Sequence, residues 1–331
     1  MNGKEFKKQL KAFEGFKKQG KTFSFLNNIA FTGNEMVRTD SRSMVVVPFV
    51  FADKFEVNFY ELKKAIPNDH FVIYTEGNKL MVSSSERNVA LDITRDGSPE
   101  IPLVNNMPSV EFNLKDFQES YEKVKSIPPK KVDFNVVFTA VNFTKDEMAA
   151  TDGQRLMTMK STIPFDVILS MEHLNVINKL PNAKTISQVG KWIVIEGEGF
   201  TSYHESFVGV FPDYQRIIPQ EVLPFVTLPV KPLINALSPM KSFARIKCDG
   251  ESLVVEELNR DRGEEIVSSS KMDLYIRTQP MSFVIEPQQL LDGLNPLKEQ
   301  FVKIENQGEA RPIIFKEDDY LYLQVTYSEV L

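Results

Sequence analysis

The chain has 331 residues, 42% of them hydrophobic and 25% charged, with a net charge of −6 and one cysteine, Cys248. Such a length suits two or three domains, and the composition excludes a largely disordered chain. A lone cysteine excludes an internal disulfide, and no stretch approaches the roughly 18–20 apolar residues of a membrane span, so a reducing, cytoplasmic setting is expected, with no membrane partner.

The charge is uneven. Residues 1–21 hold seven lysines against Glu5 and Glu14, a net of +5 that leaves −11 on the remainder. A local basic surface on an acidic body still attracts a polyanion, because binding follows the local field. No continuous apolar stretch follows these lysines, so they do not read as a secretory signal.

In chain order, Phe6, Leu10, Phe13 and Phe16 form one apolar stripe, which predicts a helix over 4–19 closed by Gly20. Residues 23–31 and 45–51 are strand-like, and residues 57–67 predict a strand end, a short helix and a proline stop. Short strands follow at 71–75, 79–83 and 89–93. The order then restarts. Residues 110–114 enter a helix with Leu114, Phe117, Tyr121 and Val124 on one face; strands are expected at 132–143 and 147–150, then an Asp152-Gly153 turn. Residues 168–181 again give a strand end, a helix and a proline stop.

Two features share one offset. The pattern Glu-Met-x-x-Thr-Asp occurs at 35–40 and 147–152, and Leu62 and Leu174 are likewise 112 residues apart. A weaker third copy runs from Phe283 to Pro296, followed by strands at 301–304, 312–315 and 320–326. Its first helix, 230–237, contains Pro232 and is followed by Pro239. The repeat predicts an α+β chain of three domains, 1–108, 109–222 and 223–331, each mostly strands with two short helices.

No phosphate loop, dinucleotide fingerprint or nucleophile elbow is present, and His70, His173, His204 and Cys248 are not at metal-ligand spacing. No catalytic residue, metal or cofactor is therefore expected, although a site assembled only in three dimensions leaves no such trace. Two features remain. Lysines crowd the helical segments, and homologous helices facing one side would form a positive lining suited to a phosphate backbone without base reading. The run from Phe211 to Pro219, with Asp213 and Arg216 among hydrophobic residues, suits a fixed interdomain path or a site.

Ala150-Thr-Asp-Gly-Gln-Arg-Leu156 and Phe211-Pro-Asp-Tyr-Gln-Arg-Ile-Ile-Pro219 resemble the two signature segments of the bacterial DNA polymerase III β subunit, the sliding clamp family. Thr39-Asp40, residues 58–66, 110–114, 283–294 and 320–327 extend the resemblance over the chain. The resemblance implies a homodimeric, six-domain ring, with antiparallel sheets outside and two helices per domain inside. It implies double-stranded DNA threaded through, and DNA polymerase and clamp loader as partners in a bacterial or phage-infected cell. It places a partner-peptide pocket at Phe138, Thr151, Gly153, Gln154, Arg155, Leu156, Pro212, Arg216, Ile217, Val325 and Tyr327. Lys7, Lys11, Lys18, Lys21, Lys125, Lys130 and Lys131 would face the DNA. Gln154 stands where the family often has histidine, and Val325-Thr-Tyr-Ser-Glu-Val-Leu331 replaces the usual Met-Pro-x-Arg ending. Two other readings stand beside the ring: a clamp-fold adaptor that does not close on DNA, and an enzyme with a scattered site.

Overall fold

The computed structural model describes all residues except 96, 98, 105–107, 131–135, 222, 260–264, 275–278, 307, 309 and 329–331. In chain order the first third contributes α1 (Gly3–Leu10), β1 (Asn28–Phe31), β2 (Glu35–Thr39), β3 (Ser43–Pro48), β4 (Phe55–Asn58), α2 (Phe59–Ala65), β5 (Phe71–Glu76), β6 (Lys79–Ser84) and β7 (Asn88–Thr94). The second contributes β8 (Val110–Glu111), α3 (Leu114–Val124), β9 (Ala140–Phe143), β10 (Glu147–Thr151), β11 (Arg155–Lys160), β12 (Val167–Ser170), α4 (Met171–Asn178), β13 (Ala183–Val189), β14 (Trp192–Gly197) and β15 (Phe200–Glu205). The last contributes β16 (Phe225–Pro229), α5 (Val230–Leu237), β17 (Phe243–Cys248), β18 (Ser252–Asn259), β19 (Glu265–Asp273), β20 (Met281–Ile285), α6 (Pro287–Leu294), β21 (Phe301–Asn306), β22 (Ile313–Glu317) and β23 (Tyr320–Gln324). Among the described residues each third thus supplies two short α-helices with many antiparallel strands, the α+β pattern that the repeat predicts. No helix among the described residues is long and apolar enough to cross a membrane.

The helix starts follow from local chemistry. Asn2, Asn58 and Ser170 cap α1, α2 and α4 by accepting from backbone N–H groups of the first turn, and Asn113 does the same for α3. Prolines open the other two. Pro287 takes the first position of α6, where its missing N–H is not needed, and Pro232 falls in the first turn of α5 without interrupting it.

Two compact units result, Met1–Glu119 with Leu169–Val208, and Ser120–Ile168 with Gly209–Leu331. The first is built on an eleven-stranded sheet in the order β5-β6-β7-β4-β1-β2-β3-β15-β14-β13-β8. Its continuity depends on β3 pairing with β15, where Val46 faces Thr201 and Ser43 faces His204. Phe6 on α1 meets Phe49 and Phe71, and Phe31 stacks on Phe55 at 4.7 Å, so aromatic packing fixes the first helix to the sheet.

The second unit contains an eight-stranded sheet, β12-β9-β10-β11-β23-β22-β21-β16, and a four-stranded sheet, β19-β18-β17-β20. Here β11 pairs with β23, placing Leu156 opposite Leu323.

Three expectations need correction. The first helix is shorter than 4–19: it ends at Leu10, continues as a 3-10 turn over Lys11–Phe13, and Gly20 is not its stop. Phe13 and Phe16 remain buried, as the stripe requires, but Gly15 lies so close to the backbone of Val176 that a Cβ would sit 2.5 Å from its Cα. The closeness leaves no room for a side chain at position 15. Residues 23–27 are not strand but part of a 3-10 segment over Lys21–Asn27. Of the strand expected at 132–143, residues 136–139 form a 3-10 turn and only Ala140–Phe143 is strand, while 132–135 lie outside the described residues. Residues 183–205 and 243–273, to which the sequence reading gave no elements, form β13–β15 and β17–β19.

Candidate functional site

The Asp152-Gly153 turn joins β10 to β11, and its conformation is set by two side chains. Thr151 Oγ1 donates to Arg155 O at 2.7 Å and accepts from Gly153 N at 3.1 Å. Asp152 Oδ1 accepts from Gln154 N and Arg155 N, both at 2.9 Å. Gly153 has φ +90°, a region that a Cβ disfavours.

The same arrangement occurs twice more. Thr39 and Asp40 make the matching bonds to Ser41, Arg42 and Ser43, with Ser41 at φ +79°. Asp249 accepts from Glu251 N and Ser252 N, with Gly250 at φ +101° and Cys248 in the threonine place. The sequence reading missed this third copy because cysteine replaces the threonine. Asp249 holds its carboxyl down at about 2, through its bonds from the backbone N–H groups of Glu251 and Ser252.

What distinguishes the middle copy is its surroundings. Arg155 is nine-tenths buried, and its guanidinium donates to Asp152 Oδ2 at 2.8 Å, Asp292 Oδ2 at 2.6 Å and Ser126 O at 2.8 Å. Burial works against its charge. Tyr322, buried and pushed above its ordinary range by desolvation, stays neutral, so the two carboxylates hold the guanidinium more firmly protonated than usual. Gln154 O accepts from Val325 N at 2.9 Å. Its side-chain oxygen accepts from Gln289 Nε2 at 2.6 Å, and Gln324 Nε2 donates onward to Gln289 Oε1 at 3.1 Å. The residue that departs from the family pattern is therefore the first of three linked amides tying the turn to α6 and β23.

Beside the turn lies an apolar cluster of Ala149, Leu156, Leu223, Ile314, Leu321 and Leu323. Phe211, Tyr214 and Ile218 pack against it, half-buried. Tyr214 OH donates to Glu147 Oε1 at 2.6 Å and Gln215 Nε2 to the same oxygen at 2.9 Å, which fastens the 3-10 turn Tyr214–Ile217 onto β10. Burial and the adjacent Glu147 push the Tyr214 hydroxyl well above its usual range, so it remains a donor.

The structure brings together many of the residues expected in the pocket. Phe138 is half-buried with its ring over Gly153, within 3.8 Å of where a Cβ would be. Leu156 is fully buried in the cluster, whereas Ile217, next to Ile218, is 53% exposed. Pro212 is half-buried, and Arg216 is exposed and pairs with Asp213 at 2.7 Å. Val325 joins the turn through its backbone. Tyr327 goes elsewhere: its N donates to Val284 O at 2.9 Å and its ring meets Phe243 at 4.8 Å. Phe211, Tyr214, Ile218, Glu147, Gln289 and Asp292 were missed. Three of these lie inside the 211–219 run, but Gln289 and Asp292 carry no mark in the sequence of their partners on β11.

Among the basic residues, Lys11, Lys18, Lys21 and Lys130 are exposed and Lys7 is half-buried, donating to Asn68 Oδ1 at 2.8 Å. Lys18 Nζ lies 5.2 Å over the Tyr60 ring, and Lys125 pairs with Glu122, which offsets its charge. Lys131 lies outside the described residues. Arg38, also missed, is fully buried, without an ion pair among the described residues, 4.4 Å from Phe59 and 5.2 Å from Phe16, and donates to Phe13 O at 2.8 Å and Tyr60 OH at 3.2 Å. It anchors the segment after α1. Among the described residues no group of three His, Cys, Asp or Glu side chains could hold a metal ion.

No protein-family model matches this sequence. A curated relative, the beta sliding clamp of Helicobacter pylori, is 20% identical over 233 residues, which span 65% of this chain and 62% of that protein. Solved structures match over nearly the whole length. The Helicobacter pylori beta clamp bound to DNA ligase peptide has a TM-score of 0.81 at 16% identity, with 99% of each chain covered. The DNA polymerase III subunit beta of Pseudomonas aeruginosa has a TM-score of 0.84 at 17% identity, again with 99% of each covered. The DNA polymerase sliding clamp of Bacillus subtilis has 0.84 at 12%, covering 100% of this chain and 98% of that one. The chain has the fold of these clamps, and the resemblance read in its two signature segments holds at the level of the whole fold.

Proposed function

We propose that this chain is a non-catalytic DNA sliding clamp of three domains, 1–108, 109–222 and 223–331, acting in the cytoplasm. Two copies close head to tail into a ring around duplex DNA. A pocket at the Thr151–Leu156 turn tethers DNA polymerase, clamp loader and other replication or repair proteins through short apolar peptides. The observation that carries this reading is the site itself. An ordered turn, a half-buried Phe-Pro-Asp-Tyr segment and an apolar floor meet in a fold shared with a clamp bound to DNA ligase peptide. Backbone hydrogen bonds and a few apolar anchors suffice for peptide capture.

Ring closure draws on two edge strands. β5 ends the large sheet and exposes Val72 and Tyr74, and β19 ends the four-stranded sheet and exposes Ile266 and Val267. Unpaired edges with apolar side chains seek a partner strand. The three-fold recurrence of the Asp turn and the pair of helices in each third support the domain division. Lys7, Lys11, Lys18, Lys21, Lys125, Lys130 and Lys131 are proposed to meet phosphates, with the weight on the exposed members.

Light scattering tests the ring: a mass about twice the 37.8 kDa of the chain is expected, and a monomer would favour an adaptor that does not close. Calorimetry with an apolar polymerase-type peptide tests the pocket. Ile217→Asp, at an exposed position, should weaken binding at least tenfold, about 1.4 kcal/mol. Unchanged affinity would move the partner site elsewhere.

A further inference from the structure

The most exposed aromatic side chains of the first unit lie on the 3-10 segment Lys21–Asn27, outside the peptide site. Phe23, at a kink in the segment, is 55% exposed and Phe25 60%, and their rings meet edge to face at 6.3 Å. The segment is not a loose loop. Asn27 is buried and closes it with two reciprocal bonds: Gln19 N donates to its Oδ1 at 2.8 Å, and its Nδ2 donates to Gln19 O at 3.0 Å. The residues on either side are fixed as well. Phe16 O accepts from Tyr60 OH at 3.3 Å, and Ile29 is fully buried in β1.

Along the chain, the charge beside the rings has one sign. Lys17, Lys18 and Lys21 are exposed on or beside the closed segment, and no acidic residue falls between Glu14 and Glu35. A core or protein-docking role would account for the aromatic rings but not for the exposed lysines that flank them in the chain. A duplex-phosphate role would account for the lysines but gives the rings nothing to contact. An unpaired base offers both a π-face for the ring and a phosphate for the lysine, which is how proteins hold single strands without reading sequence.

We propose that Phe23 and Phe25, with Lys17, Lys18 and Lys21, form a stacking site for unpaired nucleobases of a DNA single strand. This rests on the clamp reading only in taking DNA as the ligand. It adds a place where a strand with unpaired bases is distinguished from continuous duplex.

The test is fluorescence anisotropy at low salt with a short labelled oligothymidylate and with a blunt duplex of the same length. Proteins compared are the wild type, Phe23→Ala/Phe25→Ala, Phe23→Leu/Phe25→Leu, Phe25→Trp and Lys21→Gln. Both rings are more than half exposed, so these changes leave the core intact, and circular dichroism confirms it. The alanine and leucine pairs should each lose oligothymidylate affinity at least tenfold while duplex affinity changes less than twofold. Phe25→Trp should retain or raise single-strand affinity. Lys21→Gln should weaken both ligands and flatten the salt dependence.

A leucine pair that binds like wild type would show apolar docking without stacking and overturn the proposal. So would wild type failing to bind the oligothymidylate where it binds duplex. Retention of loaded protein on circular DNA is measured separately. If that fails while the single-strand effect persists, the ring reading falls and the stacking site stands; if retention holds with no effect of the ring substitutions, the stacking site falls alone.

Discussion

Replacing Asp292 by alanine removes one of the two carboxylates that hold Arg155, and the structure sets the size of the loss. The Arg155–Asp292 contact is 2.6 Å, with side-chain exposures of 10% and 18%, so solvent screens it little. A charge-assisted hydrogen bond contributes about 1.5–3 kcal/mol, and breaking a buried pair from one side costs about 3–5 kcal/mol. Arg155 keeps Asp152 and Ser126 O, which places the expected loss below the full cost of breaking a buried pair and within that of one charge-assisted hydrogen bond, about 2 kcal/mol. Asp292 also accepts from Gln288 Nε2 at 3.2 Å, a weaker bond on the exposed side.

The assay is urea unfolding followed in two ways. Trp192, the only tryptophan, lies in the first unit, whereas Arg155 and Asp292 lie in the second. Far-UV circular dichroism should show the second-unit transition moving to lower urea by on the order of 1 M, taking a slope of about 2 kcal/mol/M. Arg155→Met with Asp292→Leu removes both charges and should recover at least half of the loss, because the loss comes from a buried guanidinium left short of one carboxylate. A shift under about 0.5 kcal/mol, or a double variant no better than Asp292→Ala, would refute the claim that the network orders this turn.

Acid should weaken the first unit through its histidines. His173 is buried and its pKa falls to about 4 through burial and the neighbouring Arg42, opposed by Glu205; His204, fully buried between Ser202 and Ser43, is lowered as well, by burial and the neighbouring His173. The unfolded chain takes these protons near 6.5, so the stabilisation is complete above that pH and is lost as pH falls toward 4, by about 3 kcal/mol for His173 alone. The urea midpoint of the Trp192 transition against pH measures it, and a flat profile over that window would contradict it. Ser41→Gly should raise the melting temperature, since Ser41 holds φ +79° where the other two turns have glycine. Relief of left-handed strain, about 1–2 kcal/mol, exceeds the added unfolded-state entropy of about 0.4–1 kcal/mol.

The sequence by itself determined the repeated α+β pattern, because hydrophobic period, proline stops and Thr-Asp turns act within a few residues of one another. The 112-residue offset between Thr39 and Thr151 needed no tertiary information, and each Asp turn is held by bonds spanning at most four residues. The two signature segments were legible for the same reason. The length of the first helix was not: it ends at Leu10, and the chain beyond it packs Gly15 against Val176, more than 150 residues away. Nor was the place of residues 23–27, whose aromatic composition suits a strand until Asn27 closes them into a 3-10 segment.

In the site, Leu156 and Ile217 were both named from the motifs, but only packing buried one and left the other exposed. Tyr327 shares the closing strand's sequence with Val325 yet turns to Val284 and Phe243, because the strand ends at Gln324 and the chain crosses to the edge of the four-stranded sheet. Arg155 shows the division most plainly. Asp152 lies three residues away and could be read locally, whereas Asp292 lies 137 residues away and reaches the guanidinium only because α6 packs beside β23, the strand paired with β11. Partners that are near in sequence follow from local geometry; those brought together by sheet pairing are decided by the fold.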